Sequence, residues 1–177
     1  MTLTRQKVSP FSKAYNDVKK LYLSAFPPNE RLPYFLLLVN SVRSLAKCYA
    51  YYEQEEFVGF AYILESKKQV FILFLAVNEP VRSKGYGSMI LAQIREYAGL
   101  RPLILTIEPP DKEAPNSEQR RRRLSFYERN GYQATSHYYY EGQECYQILT
   151  TDQNADLEHF QKLARRATLG FVPIEVR

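Results

Sequence analysis

Eight consecutive apolar residues, Val70 to Val77, run directly into a polar stretch, Asn78 to Lys84, and then into Gly85-Tyr86-Gly87-Ser88. This succession restricts the possible folds more than any other feature of the chain. A short apolar run bounded by turn signals is a buried strand. At eight residues it is far below the roughly 18 needed to cross a bilayer. Beyond Ser88, the residues Met89, Ile90, Ile94 and Tyr97 recur at helical spacing, Gly99 marks the helix end and Pro102 lies just past it. Leu103–Ile107 is then apolar except for Thr106, as expected of a strand covered on both faces. Strand, helix, strand in this order predicts a right-handed parallel crossover.

The flanks are of different texture. Thr2 to Val8 reads as an edge strand. Ser9-Pro10 reads as an N-cap with proline at the first helical position. Phe11, Tyr15, Val18, Tyr22 and Ala25 then predict a helix to about Phe26, stopped by Pro27-Pro28. Tyr34 to Val39 predicts a second, short helix. Lys47–Tyr52 and Phe57–Leu64 precede Val70–Val77 as strands, and their short polar connections predict consecutive antiparallel hairpins. Downstream, Asn116 and Gln119 have capping-box spacing for a helix that runs to Asn130 and ends at Gly131. Tyr132–Tyr140 and Glu144–Thr150 form a last hairpin, followed by a helix over Asp156–Ala167 and a short tail. The fold class is α+β: a mixed, mostly antiparallel sheet with a central βαβ unit and flanking helices. A length of 177 residues suits one domain, residues 1–150, with 151–177 as a helical extension packed on it.

Composition narrows the function classes. Lys plus Arg is 24 and Asp plus Glu is 19, a net charge of +5 that suits an anionic ligand without naming one. Residues 1–15 hold no apolar run of signal-peptide length, so no membrane partner is expected. Cys48 and Cys145 fall in no motif, which predicts two free thiols and a cytoplasmic protein. His137 and His159 are the only histidines, which excludes a histidine-rich metal site. Arg120 to Arg123 step by about 100° each and point all around a helix, so they predict a solvated, partly paired face rather than a nucleic-acid surface. Glu118 and Arg122 make a supportive i,i+4 pair on it. The fifteen tyrosines include Tyr138-Tyr139-Tyr140, whose alternation along a strand is explained by packing. Nothing in the sequence sets an oligomeric state.

The chemistry lies in the glycine segment. Two glycines two apart remove the Cβ atoms that would keep an anion from the backbone. The N–H groups and dipole of the following helix then favour negative charge. Arg82 and Lys84 add cationic donors, and a diphosphate fits. A Walker loop would end in Gly-Lys-Ser/Thr, which is absent. A dinucleotide fingerprint would have a third glycine where Ile90 stands and its glycines directly after the first strand, without Asn78–Lys84 between or hairpins upstream, although Glu108 does lie roughly where that fold places its ribose acid. A glycine-bearing helix start without a ligand is the remaining alternative.

Arg82-Ser83-Lys84-Gly85-Tyr86-Gly87 resembles the Arg/Gln-x-x-Gly-x-Gly/Ala pyrophosphate loop of the GNAT acyltransferase superfamily. Phe126-Tyr127-Glu128-Arg129-Asn130-Gly131-Tyr132 resembles the next signature of that family. The likeness in element order extends over residues 1–150, and its specific part runs from Arg82 to Tyr132. The resemblance implies acetyl-CoA as donor, direct attack by an amine on the thioester, and no metal. Main-chain groups of Leu75, Ala76 and Val77 would pair with the pantetheine arm, and the Val77 N–H is a candidate oxyanion donor. Backbone amides of Arg82, Ser83, Lys84, Gly85, Tyr86, Gly87 and Ser88 would hold the pyrophosphate. Tyr127 matches the general-acid position, although with Leu124 it also belongs to an apolar helix stripe. Glu108, at the end of the Leu103–Ile107 strand, is the candidate base, directly or through water, or else a carboxylate at a solvated turn. Glu79 is a second candidate for that task. Asn116 resembles a polar residue near the donor arm, one turn earlier than usual, and capping alone would explain it. The expected activity is N-acetyl transfer to a primary amine of a small molecule or peptide. The alternative is a non-catalytic acyl-CoA-binding or interaction module. The Phe26–Leu38 region and the final hairpin are the expected acceptor side.

Overall fold

Aromatic and β-branched runs separated by short polar turns produce strands, and they do so here with little deviation. The computed structural model describes residues 2–10 and 12–177. Phe11, first of the apolar residues at helical spacing, lies outside them. Among the described residues the architecture is mixed α+β, with mostly antiparallel strands and flanking helices, as expected. The chain falls into two compact units, residues 1–65 with 72–97, and residues 66–71 with 98–177.

The first unit comprises β1 (Leu3–Lys7), α1 (Lys13–Ala25), α2 (Tyr34–Val42), β2 (Ala46–Glu53), β3 (Glu56–Glu65), β4 (Val70–Val77) from Ile72 onward, and α3 (Tyr86–Ala98). Its strands lie side by side in the order β1-β2-β3-β4. β1 is antiparallel to β2, with Leu3 opposite Glu53 and Lys7 opposite Tyr49. β2 and β3 form a hairpin whose register shifts between Tyr51 and Tyr52. The core beneath α1 is aromatic: Phe74 meets Tyr22 and Phe26 edge-on, each at 5.0 Å between ring centres. Two buried phenols tie neighbouring segments, a loop and α2, to this core. Tyr22 donates to the Leu32 carbonyl at 2.9 Å and Tyr62 to the Leu37 carbonyl at 2.8 Å.

The start of α1 corrects the expected Ser9-Pro10 cap. The helix begins at Lys13, because Ser9 and Ser12 close a turn ahead of it. The Ser9 N–H donates to Ser12 Oγ at 3.2 Å, and that hydroxyl donates back to the Ser9 carbonyl at 2.8 Å.

The second unit holds β5 (Leu103–Ile107), α4 (Ser117–Arg129), β6 (Gln133–Glu141), β7 (Glu144–Thr150), α5 (Leu157–Ala167) and β8 (Ile174–Val176). The strand order is β5-β7-β6-β8, with antiparallel pairs throughout. β8 replaces the expected tail. Arg177 and Tyr138 exchange both backbone hydrogen bonds, at 2.8 and 3.0 Å, and Val176 lies opposite Tyr139. Tyr139 is buried while Tyr138 and Tyr140 are half-buried, which fits the alternation read from the sequence. Under α5, Phe160 is fully buried, with its ring 4.8 Å from Phe71 and 5.6 Å from Tyr139. Asp156 caps α5 by accepting the His159 N–H at 2.9 Å. Among the described residues, no helix is long and apolar enough to cross a membrane.

Because Phe160 fills this aromatic contact completely, Phe160→Ala is expected to destabilise the protein by about 3–5 kcal/mol. Chemical denaturation monitored by circular dichroism measures it.

Candidate functional site

In the first unit, the end of β4 is shaped by a residue on β3. A Cβ at Gly59 would stand 2.3 Å from the Ala76 carbonyl oxygen and 3.1 Å from the Val77 Cα, so only glycine admits the β4 backbone this closely. Glycine inside a strand is the sequence signal for such a close approach, and it was available in Phe57-Val58-Gly59-Phe60. The chain leaving β4 is held at three further points. The Asn78 N–H donates to the Val58 carbonyl at 2.7 Å, and its side-chain amide donates to the Phe57 carbonyl at 3.3 Å. Arg82 Nε donates to the Val77 carbonyl at 3.2 Å. Leu75 and Val77 are half-buried, and Phe74 and Ala76 are buried.

Past a short 3₁₀ turn, Glu79–Val81, the loop adopts left-handed backbone at Ser83 (φ 66°) and Gly85 (φ 84°). For a serine that conformation costs about 1–2 kcal/mol. Left-handed residues alternating with ordinary ones turn successive N–H groups toward one concavity, an arrangement that binds anions. The space beside Gly85 is open, with no atom within 4 Å of where a Cβ would be. Helix α3 starts at once, its first bond running from the Met89 N–H to the Gly85 carbonyl at 3.2 Å. The amides ahead of that bond have no intrahelical acceptor, and the helix dipole adds positive potential. Arg82 and Lys84 are exposed beside them, Ser83 is exposed as well, and Gly87 and Ser88 are half-buried. This backbone suits a diphosphate.

Tyr86 makes a second contribution that the sequence did not reveal. Its ring is buried, and its hydroxyl donates to the carboxylate of Glu53, the last residue of β2. That hydrogen bond, with burial second, pushes the phenol up to about 12, so it remains a proton donor in any ordinary buffer. No spacing rule connects residues 53 and 86. Only the packing of α3 in this unit pairs them.

In the second unit, Glu108 follows β5 and is gripped by three side chains. Arg120 reaches Oε1 at 2.9 Å and Arg123 reaches Oε2 at 3.0 Å. The Asn116 amide donates to both oxygens, at 3.2 and 3.3 Å. Asn116 Oδ1 in turn accepts from Arg120 Nε at 2.8 Å. The capping-box expectation is therefore corrected. Asn116 precedes α4 with φ −105° and ψ 26°, and its side chain makes no cap bond because it serves Glu108. The arginine run is corrected in part. Arg121 and Arg122 are exposed and pair with Glu118 as a solvated face would, whereas Arg120 and Arg123, three apart on one side of α4, turn to Glu108. Glu79 belongs to the 3₁₀ turn of the first unit and is exposed.

Tyr127, near the end of α4, is half-buried. Its ring lies 5.1 Å from Phe126 and 5.7 Å from Tyr132, edge-on to each. Burial pushes its hydroxyl up to about 12, against the opposing effect of Arg123, so it is protonated at neutral pH. Among the described residues, no three His, Cys, Asp or Glu side chains gather where they could hold a metal ion.

The family model of the acetyltransferase (GNAT) domain matches residues 44–134. Among solved structures, the chain is similar to a protein from Bacteroides thetaiotaomicron described as an acetyltransferase from the GNAT family. The TM-score is 0.76 at 22% identity, over 95% of this chain and 97% of that one. It is also similar to a GNAT family acetyltransferase from Elizabethkingia anophelis with acetyl-CoA bound. There the TM-score is 0.60 at 14% identity, over 85% and 97%. A third is Arabidopsis thaliana Naa50 in complex with the bisubstrate analogue CoA-Ac-MVNAL, with a TM-score of 0.62 at 18% identity, over 86% and 99%. No curated protein matches the sequence. At these identities the structural likeness establishes the fold.

The two kinds of arginine on α4 separate by stability. Arg121→Gln and Arg122→Gln are expected to leave the melting temperature nearly unchanged. Arg123→Gln, which strips a charged donor from the mostly buried Glu108 carboxylate, is expected to cost about 1–2 kcal/mol. Thermal and urea unfolding of the three variants checks the contrast.

Proposed function

Because the chain belongs to the GNAT family of acetyltransferases, we propose that it transfers the acetyl group of acetyl-CoA by direct attack of a primary amine. The acceptor is an amine of a small molecule or peptide. The observation that carries the reading is the open, left-handed loop at Ser83 and Gly85 leading into the N-terminus of α3. Structures of similar fold that were solved with acetyl-CoA or with a CoA-peptide bisubstrate analogue support it.

In this reading, main-chain groups of Leu75, Ala76 and Val77 pair with the pantetheine arm, and the amides from Arg82 to Ser88 hold the pyrophosphate. Asn116 lies near the donor arm, as its resemblance to a polar residue of the family implies, and its amide also holds Glu108. The amine lone pair attacks the thioester carbon, and the Val77 N–H stabilises the developing oxyanion. A C–N bond forms and the C–S bond breaks. Tyr127 donates its proton to the departing thiolate, a role suited to a phenol that stays protonated up to about pH 12. The ammonium proton passes to Glu108, directly or through water, with Glu79 as the second candidate. Residues 1–150 are the acyltransferase domain and 151–177 its extension, in a cytoplasmic protein without a nucleic-acid partner.

Acetyl-CoA should raise the melting temperature of the wild-type protein, since it binds the native state. Gly87→Glu should abolish that shift in a folded protein by filling the loop with a side chain and a like charge. Free-thiol release across a panel of amines then identifies the acceptor. A panel with no turnover despite donor binding would favour the non-catalytic module.

Tyr127→Phe and Glu108→Gln should each keep the donor-induced shift and lower turnover by roughly 10²–10⁴-fold. With the tyrosine acid pushed upward rather than downward, its protonated form persists. The wild-type pH–rate profile should show no falling limb from this group below about pH 11. A folded, donor-binding Tyr127→Phe protein with undiminished turnover would remove the acid assignment.

A further inference from the structure

Glu53 lies in none of the motifs that point to the donor loop, yet it is bound to that loop's first helical residue. We infer that Glu53 is a positioning residue for the donor, latching the first turn of α3 through the Tyr86 hydroxyl and acting on the diphosphate end of acetyl-CoA. The inference rests on the proposed donor role of the loop.

The loop needs an anchor for physical reasons. Arg82, Ser83, Lys84 and Gly85 are all exposed, and Ser83 holds a backbone conformation that is unfavourable for it. Amides can bind a diphosphate tightly only if they are already aimed, because ordering them on binding costs affinity. Tyr86 comes next in the chain and is buried to 4% exposure. Its side chain is therefore the first element after the loop that can transmit rigidity to it.

The other end of the latch is firmly set. Glu53 is the last residue of β2, opposite Glu56 across the hairpin turn and opposite Leu3 of β1. Strands on both sides thus fix its backbone. A half-buried carboxylate at that point is otherwise poorly placed, since Glu55 and Glu56 extend negative charge along the same turn. The phenol donor satisfies it. The bond is directional, so it sets the rotation of the Tyr86 side chain and with it the first turn of α3. Main-chain groups at Ala76 and Val77 are set independently by Gly59, Asn78 and Arg82. The latch should accordingly matter to the diphosphate and not to the thioester.

Two donors separate these ends: acetyl-CoA, and acetyl-pantetheine, which lacks the diphosphate. Tyr86→Phe and Glu53→Ala are each expected to weaken acetyl-CoA binding about tenfold, as for loss of a charge-assisted hydrogen bond. Binding of acetyl-pantetheine should be unchanged. Glu53→Gln retains an acceptor oxygen and should restore most of the affinity that Glu53→Ala loses. The double variant Tyr86→Phe/Glu53→Ala should be no weaker than either single one, because both remove the same bond. Without any donor, amide hydrogen exchange at Gly87, Ser88 and Met89 should be faster in Tyr86→Phe and Glu53→Ala.

Wild-type affinity for acetyl-CoA in both variants would overturn the inference. Equal weakening of both donors would also overturn it, since that marks a general structural role. A wild-type protein that binds neither donor would overturn the donor reading and the donor role of Glu53 with it. Unchanged exchange would overturn the latch itself, whatever the donor results.

Discussion

The close approach of the Ala76 carbonyl to Gly59 is the constraint from which the rest of the proposed donor site follows. A strand backbone cannot lie that near a neighbouring residue that carries a Cβ. Given the approach, the Asn78 N–H reaches Val58, the Asn78 amide reaches Phe57, and the Val77 carbonyl is left for Arg82. Each of these bonds uses a backbone group that would otherwise face a loop without a partner. The polar stretch from Asn78 onward therefore leaves β4 in a defined direction. The left-handed turns at Ser83 and Gly85 then deliver it to the helix start.

A second theme is the treatment of carboxylates. Glu53 in the first unit and Glu108 in the second are both partly buried, and both are held by donors chosen for different strength. One phenol holds Glu53, whereas two guanidinium groups and an amide hold Glu108. A single neutral donor gives direction with little electrostatic bias. Two arginines also supply charge, which keeps Glu108 in place at the end of β5 and leaves α4 oriented by its own side chains. The arginine run on α4 is thereby divided in function. Its outward members pair with Glu118 on the surface, and its inward members build the Glu108 cluster.

Segments bounded by strong punctuation were legible in the residues. Val70–Val77 and Leu103–Ile107 have the same limits in the structure as in the sequence reading, because polar or proline-bearing turns bracket them. The glycine loop was legible for the same reason, since Gly85 carries its backbone conformation with it. Side-chain hydrogen bonds were less legible. Ser9-Pro10 and Asn116 both present acceptable caps, but Ser9 finds Ser12 and Asn116 finds Glu108. At three residues, β8 is too short to show a period, and it exists because β6 offers it a free edge.

The sequence by itself determined the order of the elements up to α5, the apolar faces and the position of the glycine loop that is proposed to hold the donor. Those properties depend on residues close in the chain, where period, turn chemistry and glycine act locally. Tertiary structure decided what Gly59, Glu53, Asn116 and Glu108 do. Each of the four acts through a partner on another element: the Ala76 carbonyl for Gly59, the Tyr86 hydroxyl for Glu53, the Glu108 carboxylate for Asn116, and the arginines of α4 for Glu108. Such pairings depend on strand register and on which helix face turns inward, and both are settled only when the core packs.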